Sequence, residues 1–575
     1  IKSLYQRAGI AHVLAISGLH ISLLGMGLYR LLRKRLHTRY VTAALATTVF
    51  LISYAVLSGN GVSTQRAVGM CLIYLFADVT GYAYDMLNAL GIVVLVLLWE
   101  NPFLLSYSGF VFSVMAVIAI GVGANVLLEW EHSWKCRQQA GEETIKKTFF
   151  SRQKEGILVS FAIQLFTIPL VAYSYYEIPV YAMLINLFVL AVVNGLLGLT
   201  VLGVIVGMAF LPAGRVLFAP CGWMLDSYRF LCEVSLKIPG AQRITGKPAH
   251  MRIFWYYLGL GVFLLAIYAC ARRNEKHKDC RETADLCVSR RKKRLQGIVF
   301  SCFIAFLLLF LLFPQKKSFE IDFLDVGQGD GIYLCTGGGT SMFIDGGSTD
   351  VKQVGKYRIL PFLKAKGVSE ISYWFVSHTD TDHVSGLKEV LVSGYRVEYL
   401  VFAKAVEKEA KTKELAELAR SHGTKVFYMQ AGDTVRSKRA AMRCLYPKAS
   451  DKAEDVNDLC LVLQFEEGDI SALFGGDIST DVEEQLIRRR KWDKVLVFKA
   501  DHHGSRYANA EALLQCIRPE ITVASAGKDN RYGHPSPDAV QRIKESGSRF
   551  FCTIEGGRIR VRVIENKLVC ETYVK

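Results

Sequence analysis

Among its 14 cysteines the chain has no two spaced as Cys-x-x-Cys. That excludes a thiolate zinc ribbon and a dithiol redox pair. Cys71, Cys221, Cys232, Cys270 and Cys302 lie in apolar runs and read as small packing residues. Cys444, Cys460 and Cys552 are free to pair only if their part of the chain is extracellular. Charge is also scarce: 21% of residues are charged against 51% hydrophobic, and mean hydropathy is +0.25. Such a balance excludes an ordinary soluble protein. Acidic residues are outnumbered 52 to 69, for a net charge of +17. The partners of a basic chain are anionic, lipid or nucleic acid, although basic cytoplasmic loops alone also produce such an excess. A charged start followed by a cleavage site is missing, and the chain opens at Ile1. It is expected to be a piece of a longer protein.

What is present falls into two halves, residues 1–314 and 315–575. The first half repeats apolar stretches near the ~20 residues that cross a bilayer. They are Ile10–Leu32, Tyr40–Leu57, Arg66–Val79, Leu87–Glu100, Phe103–Leu128, Gly156–Tyr176, Val180–Leu211, Val216–Leu236, Met251–Ala271 and Gly297–Phe313. Val180–Leu211 is long enough for two half-spans broken near Asn194-Gly195. Arg30, Arg33, Lys34, Arg35 and Arg39 make one basic loop. Lys135, Arg137, Lys146, Lys147, Arg152 and Lys154 make a second. A third runs from Arg272 to Arg294. All three are expected in the cytoplasm. The last span then leads outward, so the chain beyond Pro314 is expected outside a plasma membrane crossed many times. Polar groups within the spans need a reason to be there. His12, Ser17, His20, Arg66 and Asn186 are candidates for a polar path, with helix–helix hydrogen bonding as the plainer alternative.

The second half alternates short strands with helices and reads as two packed sheets with helices outside. Strands are expected at Phe319–Val326, Gly331–Cys335, Ser341–Ile344, Ile371–Val376, Tyr399–Phe402, Lys425–Met429, Leu459–Phe465, Ile470–Phe474, Val495–Phe498 and Ile521–Ser525. Helices are expected at Ala405–Ser421, Asp481–Arg490, Asn509–Cys516 and Pro537–Ser546. His and Asp gather where strands end. The densest cluster is His378-Thr379-Asp380-Thr381-Asp382-His383. Turns favour Asp and Gly anyway, but five such clusters in one domain point to a metal site. Two divalent ions about 4 Å apart activate water and stabilise entering and leaving oxygens. His378 and Asp380 are expected on one ion, Asp382 and His383 on the other. Asp477 is expected to bridge, and His502 or His503 to complete the second. Carboxylate-rich ligands accept Zn²⁺ and also harder ions such as Mn²⁺. Asp325, Asp330 and Asp345 are expected behind these, with Asp345 orienting a ligand histidine. Asp382, Asp477 and His534 carry the expected catalysis, His534 by protonating a leaving oxygen or orienting phosphate. Lys499, Ser505 and Arg506 are the expected phosphate contacts.

These clusters resemble the metallo-β-lactamase superfamily, whose pattern is His-x-His-x-Asp-His and whose fold is a four-layer αββα sandwich. Asp380 stands where that pattern has its second His, which implies phosphate esters rather than lactams. An equivalent of the third His ligand is not evident, and Asn457-Asp458 falls in that region. The run Gly9-Ile10-Ala11-His12-Val13-Leu14-Ala15-Ile16-Ser17-Gly18-Leu19-His20 resembles the ComEC competence family of bacterial DNA-uptake channels. So do Ser63-Thr64-Gln65-Arg66-Ala67, Asn101-Pro102-Phe103, Ser108-Gly109-Phe110 and Ile168-Pro169-Leu170. In the second half Leu324–Asp330, Phe474–Asp477, His502–Ser505 and Gly533-His534-Pro535 match as well. Family members generally carry an OB-like domain ahead of these motifs, which agrees with the expectation of a fragment. The resemblance implies a polytopic α-helical channel passing single-stranded DNA, an outer hydrolase for the other strand, and other uptake proteins as partners. The alternatives are a membrane-anchored hydrolase of a small phosphoester, and a channel with an inactive outer domain.

Overall fold

In a computed structural model, residues 2–10, 18–134, 149–276, 286–314, 317–453, 455–565 and 567–574 are described. His12 and Ser17 lie outside them. The chain divides into two compact units, Ile1–Phe313 and Pro314–Lys575.

The first unit is helical: α1 Lys2–Arg7, α2 Gly18–Lys34, α3 Tyr40–Leu57, α4 Val62–Thr80, α5 Met86–Glu100, α6 Ser108–Ile118, α7 Asn125–His132, α8 Phe149–Tyr175, α9 Ala182–Ala209, α10 Leu211–Lys237, α11 His250–Lys276 and α12 Leu286–Leu311. Two short strands, β1 Glu177–Pro179 and β2 Gln242–Ile244, pair antiparallel. A π turn over Ala119–Ala124 joins α6 to α7 without a break. Among the described residues, each expected apolar stretch falls largely on helix. Among the described residues, five helices are long and apolar enough to cross a membrane: Tyr40–Leu57, Ser108–His132, Lys154–Tyr175, His250–Asn274 and Arg291–Leu311. The break expected near Asn194-Gly195 is not there, for α9 runs through both residues. Asn and Gly are poor helix formers, but the apolar residues on either side carry the helix past them.

Where the helices end or bend, the sequence shows why. Asp85 caps α5 by accepting from the backbone N–H of Asn88 at 2.7 Å, and Gly81 closes α4 in the left-handed region. Pro169 sits inside α8 and cannot bond the carbonyl four residues back. That carbonyl, Leu165 O, accepts instead from the Tyr256 hydroxyl of α11 at 2.9 Å. Tyr257 donates likewise to Phe166 O at 2.8 Å. Trp99 is 94% exposed and Met208 85%; apolar groups so presented fit a lipid surround and not water.

The second unit holds two sheets. The eight-stranded sheet has the order β17-β16-β3-β4-β5-β6-β7-β8. Its strands are β3 Glu320–Phe323, β4 Gly331–Cys335, β5 Ser341–Asp345, β6 Glu370–Phe375, β7 Arg396–Ala403, β8 Lys425–Met429, β16 Ile559–Ile564 and β17 Lys567–Thr572. The seven-stranded sheet has the order β15-β14-β13-β12-β11-β10-β9. It comprises β9 Thr434–Ser437, β10 Ala440–Tyr446, β11 Val462–Glu467, β12 Ile470–Phe474, β13 Val497–Lys499, β14 Ile521–Ala524 and β15 Arg549–Cys552. The runs β5 to β8 and β12 to β15 are parallel.

Three apolar clusters define four layers. Phe323, Phe375, Phe465 and Phe474 pack between the sheets. Trp374, Leu387, Leu400 and Leu415 fill the outer face of the larger sheet. There it meets α13 Leu360–Ala365, α14 Thr381–Val392 and α15 Ala410–Ser421. Val482, Phe498, Leu514 and Ile543 do the same for the smaller sheet. Its helices are α16 Thr480–Arg489, α17 Glu511–Ile517 and α18 Pro537–Glu545. The order is helix, sheet, sheet, helix: the αββα sandwich expected. Cys444, Cys460 and Cys552 are buried and unpaired.

Candidate metal centre

The parallel strands of both sheets end at one edge, and their C-terminal loops meet there. β5 delivers Asp345, β6 leads to His378, β12 leads to Asp477, and β13 leads to His502 and His503. The His378–His383 turn runs straight into α14, so Asp382 occupies that helix's first turn, where the helix dipole favours negative charge. Glycine lets backbone pass at contact distance. A Cβ on Gly329 would lie 2.4 Å from Asp382 O, and one on Gly347 2.5 Å from His383 N. Asp330 N–H donates to Asp382 O at 3.1 Å. His502 and His503 both take positive φ, +48° and +54°, a strained loop that turns their rings inward.

The ring nitrogens and carboxylates converge. His383 Nε2 and His503 Nε2 each stand 3.4 Å from Asp477 Oδ2. His503 Nε2 is 3.7 Å from Asp382 Oδ2, and His502 Nε2 is 3.9 Å from Asp477 Oδ2. Single ligand atoms of Asp330, His383, Asp477 and His503 lie within 4.8 Å of one another, as do those of His378, Asp382 and His383. His383 Nε2, His503 Nε2, Asp477 Oδ1 and Asp330 Oδ1 are buried without a hydrogen-bond partner. Buried polar atoms are rarely left so. A set of N and O donors aimed at one point fits a divalent cation.

Behind the ring of His383 sits Asp345. Its Oδ2 faces His383 Nδ1 at 3.0 Å, and its carboxylate accepts from Ser377 N and Oγ at 2.8 and 2.9 Å. This fixes the tautomer that leaves Nε2 free for a ligand. Asp330 is tied to Lys499 at 2.5 Å with both side chains 1% exposed.

Charge compensation sets the protonation states. Burial works against a charged His503, but Asp477 and then Asp330 overcome it and hold the imidazole at about 9. His383 is likewise raised against burial, by Asp477 and Asp345. Burial and the neighbouring His383 push His378 down to about 4. Burial raises Asp382, but the nearby His503 and the charge of His383 bring it to about 2. His534 falls to about 4 through burial and the nearby His503 and His502.

Around one cavity of about 320 Å³ stand His378, Asp380, Asp382, Asp477, His502, His503 and His534. Gln328, Thr349, Thr381, Asn457 and Tyr532 complete its lining; the sequence assigns none of these a role. Asp380 points partly outward, where Lys411 of α15 donates to it at 2.9 Å, and it keeps 4.0 Å from His378 Nε2. Asp330 is expected behind the ligands but offers an oxygen among them. Asp325 stands apart, half-exposed and paired with Arg358 at 2.8 Å. Lys499 lies beneath the site and not on its surface, because Asp330 holds it there. Ser505 is buried and its Oγ accepts from Tyr507 N at 3.3 Å, while Arg506 is exposed. In the other unit Arg66 is buried, with Nε on Ser113 Oγ at 2.8 Å. Asn186 is buried with Oδ1 unpartnered, and His20 is half-buried on α2.

Residues 1–269 match the family model described as Competence protein. ComE operon protein 3 of Bacillus subtilis (strain 168) is 26% identical over 576 residues, covering 97% of this chain and 68% of that protein. Recombination protein 2 of Haemophilus influenzae is 25% identical and covers 98% of this chain and 70% of its own length. Competence protein ComA of Neisseria gonorrhoeae is 23% identical, covering 97% and 71%. Among solved structures, the metallo-beta-lactamase fold protein YhfI of Bacillus subtilis covers 42% of this chain and 100% of its own, at 10% identity and a TM-score of 0.31. Zn²⁺-bound PqqB of Methylobacterium extorquens covers 40% and 87%, at 10% identity and 0.28. The likeness to the Competence protein family thus rests on residues 1–269 and on relatives aligned over nearly the whole chain.

Proposed function

We propose that this chain serves DNA uptake. Its membrane half passes a single strand, and its second half hydrolyses phosphodiesters of the other strand on the outer face of the plasma membrane. One observation carries the hydrolase reading: His383, His503, Asp477 and Asp330 bring buried ligand atoms together, and each leaves a buried polar atom without a hydrogen-bond partner. Relatives named for competence support the uptake reading. The basic cluster at the end of α2 supports the orientation, since Arg33 and Lys34 close that helix and Arg35 and Arg39 follow it.

Asp382, His383, Asp477 and His503 would hold one ion, Zn²⁺ or Mn²⁺. His378 and Asp380 would hold a second with Asp477 between them. When bound, divalent ions supply Lewis acidity at the phosphate and activate water as the nucleophile. The protein does the rest. Asp382 and Asp477 fix where the attacking water stands. His534 meets the phosphate as a neutral imidazole and donates one hydrogen bond, which suits orientation better than proton delivery. Arg506 at the rim balances backbone charge. In the membrane half Arg66 offers a buried charge to the passing strand, and His12, Ser17, His20 and Asn186 offer polar contacts.

The test is cleavage of single- and double-stranded DNA by the full chain loaded with Mn²⁺ or Zn²⁺. Asp382→Ala and Asp477→Ala should each lose about 10³-fold in rate. Folded, metal-loaded protein with no cleavage above those variants overturns the nuclease. A second reading, a channel with a silent outer domain, draws on Asp380: Lys411 holds it, and the third histidine is missing. Other uptake proteins are expected as partners under either reading.

A further inference from the structure

Two Arg-Tyr pairs adjoin the cavity's histidines in sequence, Arg506-Tyr507 after the histidine loop and Arg531-Tyr532 before His534, and Tyr532 itself lines the cavity. The loops that carry them are tied together, for Ser536 N–H donates to Gly504 O at 2.8 Å. Tyr532 is 51% exposed and Tyr507 74%. Neither ring is needed for the core. The Tyr532 ring stacks on His534 at 5.7 Å and 23°, and His534 on His503 at 6.2 Å and 30°. A row of rings thus leads from a candidate ligand to the surface. Its turn is rigid: Asn530 Oδ1 accepts from His534 N at 2.9 Å and Tyr532 N at 3.2 Å, and its Nδ2 donates to His534 O at 2.6 Å.

The charge at this rim is uncommitted. Arg531 donates to the Tyr532 hydroxyl at 2.6 Å and lies 4.8 Å from its ring centre. Among the described residues no carboxylate pairs with Arg506, Lys528 or Arg531, and Asp529 beside them joins no ion pair. Within the same unit Arg358, Lys388 and Arg489 are each paired with an acid. A rigid exposed ring beside a free guanidinium is the equipment for a base and its phosphate.

We propose that Tyr532 and Arg531 form a nucleotide clamp for single-stranded nucleic acid. The base next to the scissile phosphate stacks on Tyr532, and Arg531 leaves the tyrosine hydroxyl for the adjoining phosphate. This rests on the phosphodiester reading of the same site and narrows its substrate to an unpaired polynucleotide. A small phosphoester uses neither group, and a base held in a duplex does not reach the ring.

Photo-cross-linking tests the clamp without any metal. The full chain in detergent and EDTA is irradiated with a single-stranded oligonucleotide carrying 5-iodouracil, and the labelled peptides are mapped by mass spectrometry. Label is expected on the peptide holding Tyr532. Its yield should fall about tenfold in Arg531→Ala, and about tenfold when the same sequence is a duplex. Label confined to other peptides, or equal labelling by duplex, overturns the clamp. Cleavage of the same oligonucleotide by metal-loaded protein is scored in parallel. Label without cleavage leaves the clamp and sinks the chemistry; cleavage without label does the reverse.

Discussion

Each half of the molecule buries a cation, and the two are treated differently. Lys499 is 1% exposed and meets Asp330 at 2.5 Å. Arg66 is 6% exposed, and among the described residues it meets Ser113 and Met70 but no carboxylate. A buried charge is tolerated when a counter-charge is built in beside it. Lys499 has one, so its role is complete within the fold. Arg66 has none among the described residues, and on the proposed reading its charge is met by an anion that comes from outside. On the proposed reading, the same burial serves the scaffold in one unit and the passing strand in the other.

The largest test of this contrast is Lys499→Met. It strands Asp330 and should cost about 3–5 kcal/mol of stability, read as a drop in the thermal midpoint of the second unit. Arg66→Gln should leave the melt almost unchanged while DNA uptake falls about tenfold or more at constant protein level. Unchanged uptake would return Arg66 to packing. Next in size is Asp345→Asn. With His383 no longer oriented, metal affinity should fall about 10–100-fold in calorimetric titration. A pH series follows. His503 is held at about 9, so a cation must displace its proton at neutral pH. Apparent affinity should therefore rise by up to about tenfold per pH unit and level off above about 9. Proton release, read from titrations in buffers of different ionisation heat, should vanish over the same range. The smallest effect belongs to Lys411→Ala. Both partners are well exposed, so stability should change by under about 1 kcal/mol. A clear gain in the number of ions bound would show that Lys411 withholds Asp380.

Much of this was legible before any coordinates. Gly331–Cys335, Lys425–Met429 and Ile470–Phe474 are strands over the very residues expected, because each is a short apolar run closed by a turn. The strands β9, β10, β15, β16 and β17 escaped. β9 is only four residues, with Thr434 and Arg436 among them, and β10 carries Arg443 in its middle, while β16 is held between its neighbour β17 and β3, far away in sequence. Helix α14 escaped because its first turn is the ligand cluster itself. In the site, residues that announce themselves in bursts were found. Asp330 as a candidate ligand, its Lys499 partner and the Asp380–Lys411 pair were not, since each depends on a contact between distant segments. Tyr532 directly precedes Gly533-His534-Pro535, but only the ring stack reveals its position at the mouth.

The glycines under the ligand turn bear on how such a site changes over time. Gly329 and Gly347 let the backbone of Asp382 and His383 rest directly on neighbouring backbone. The turn is gripped by its main chain and owes little of its shape to the side chains it displays. Those side chains are free to be exchanged one at a time while the loop stays put. Asp380, turned toward Lys411 and 4.0 Å from His378, already stands off from the other donors without disturbing that frame.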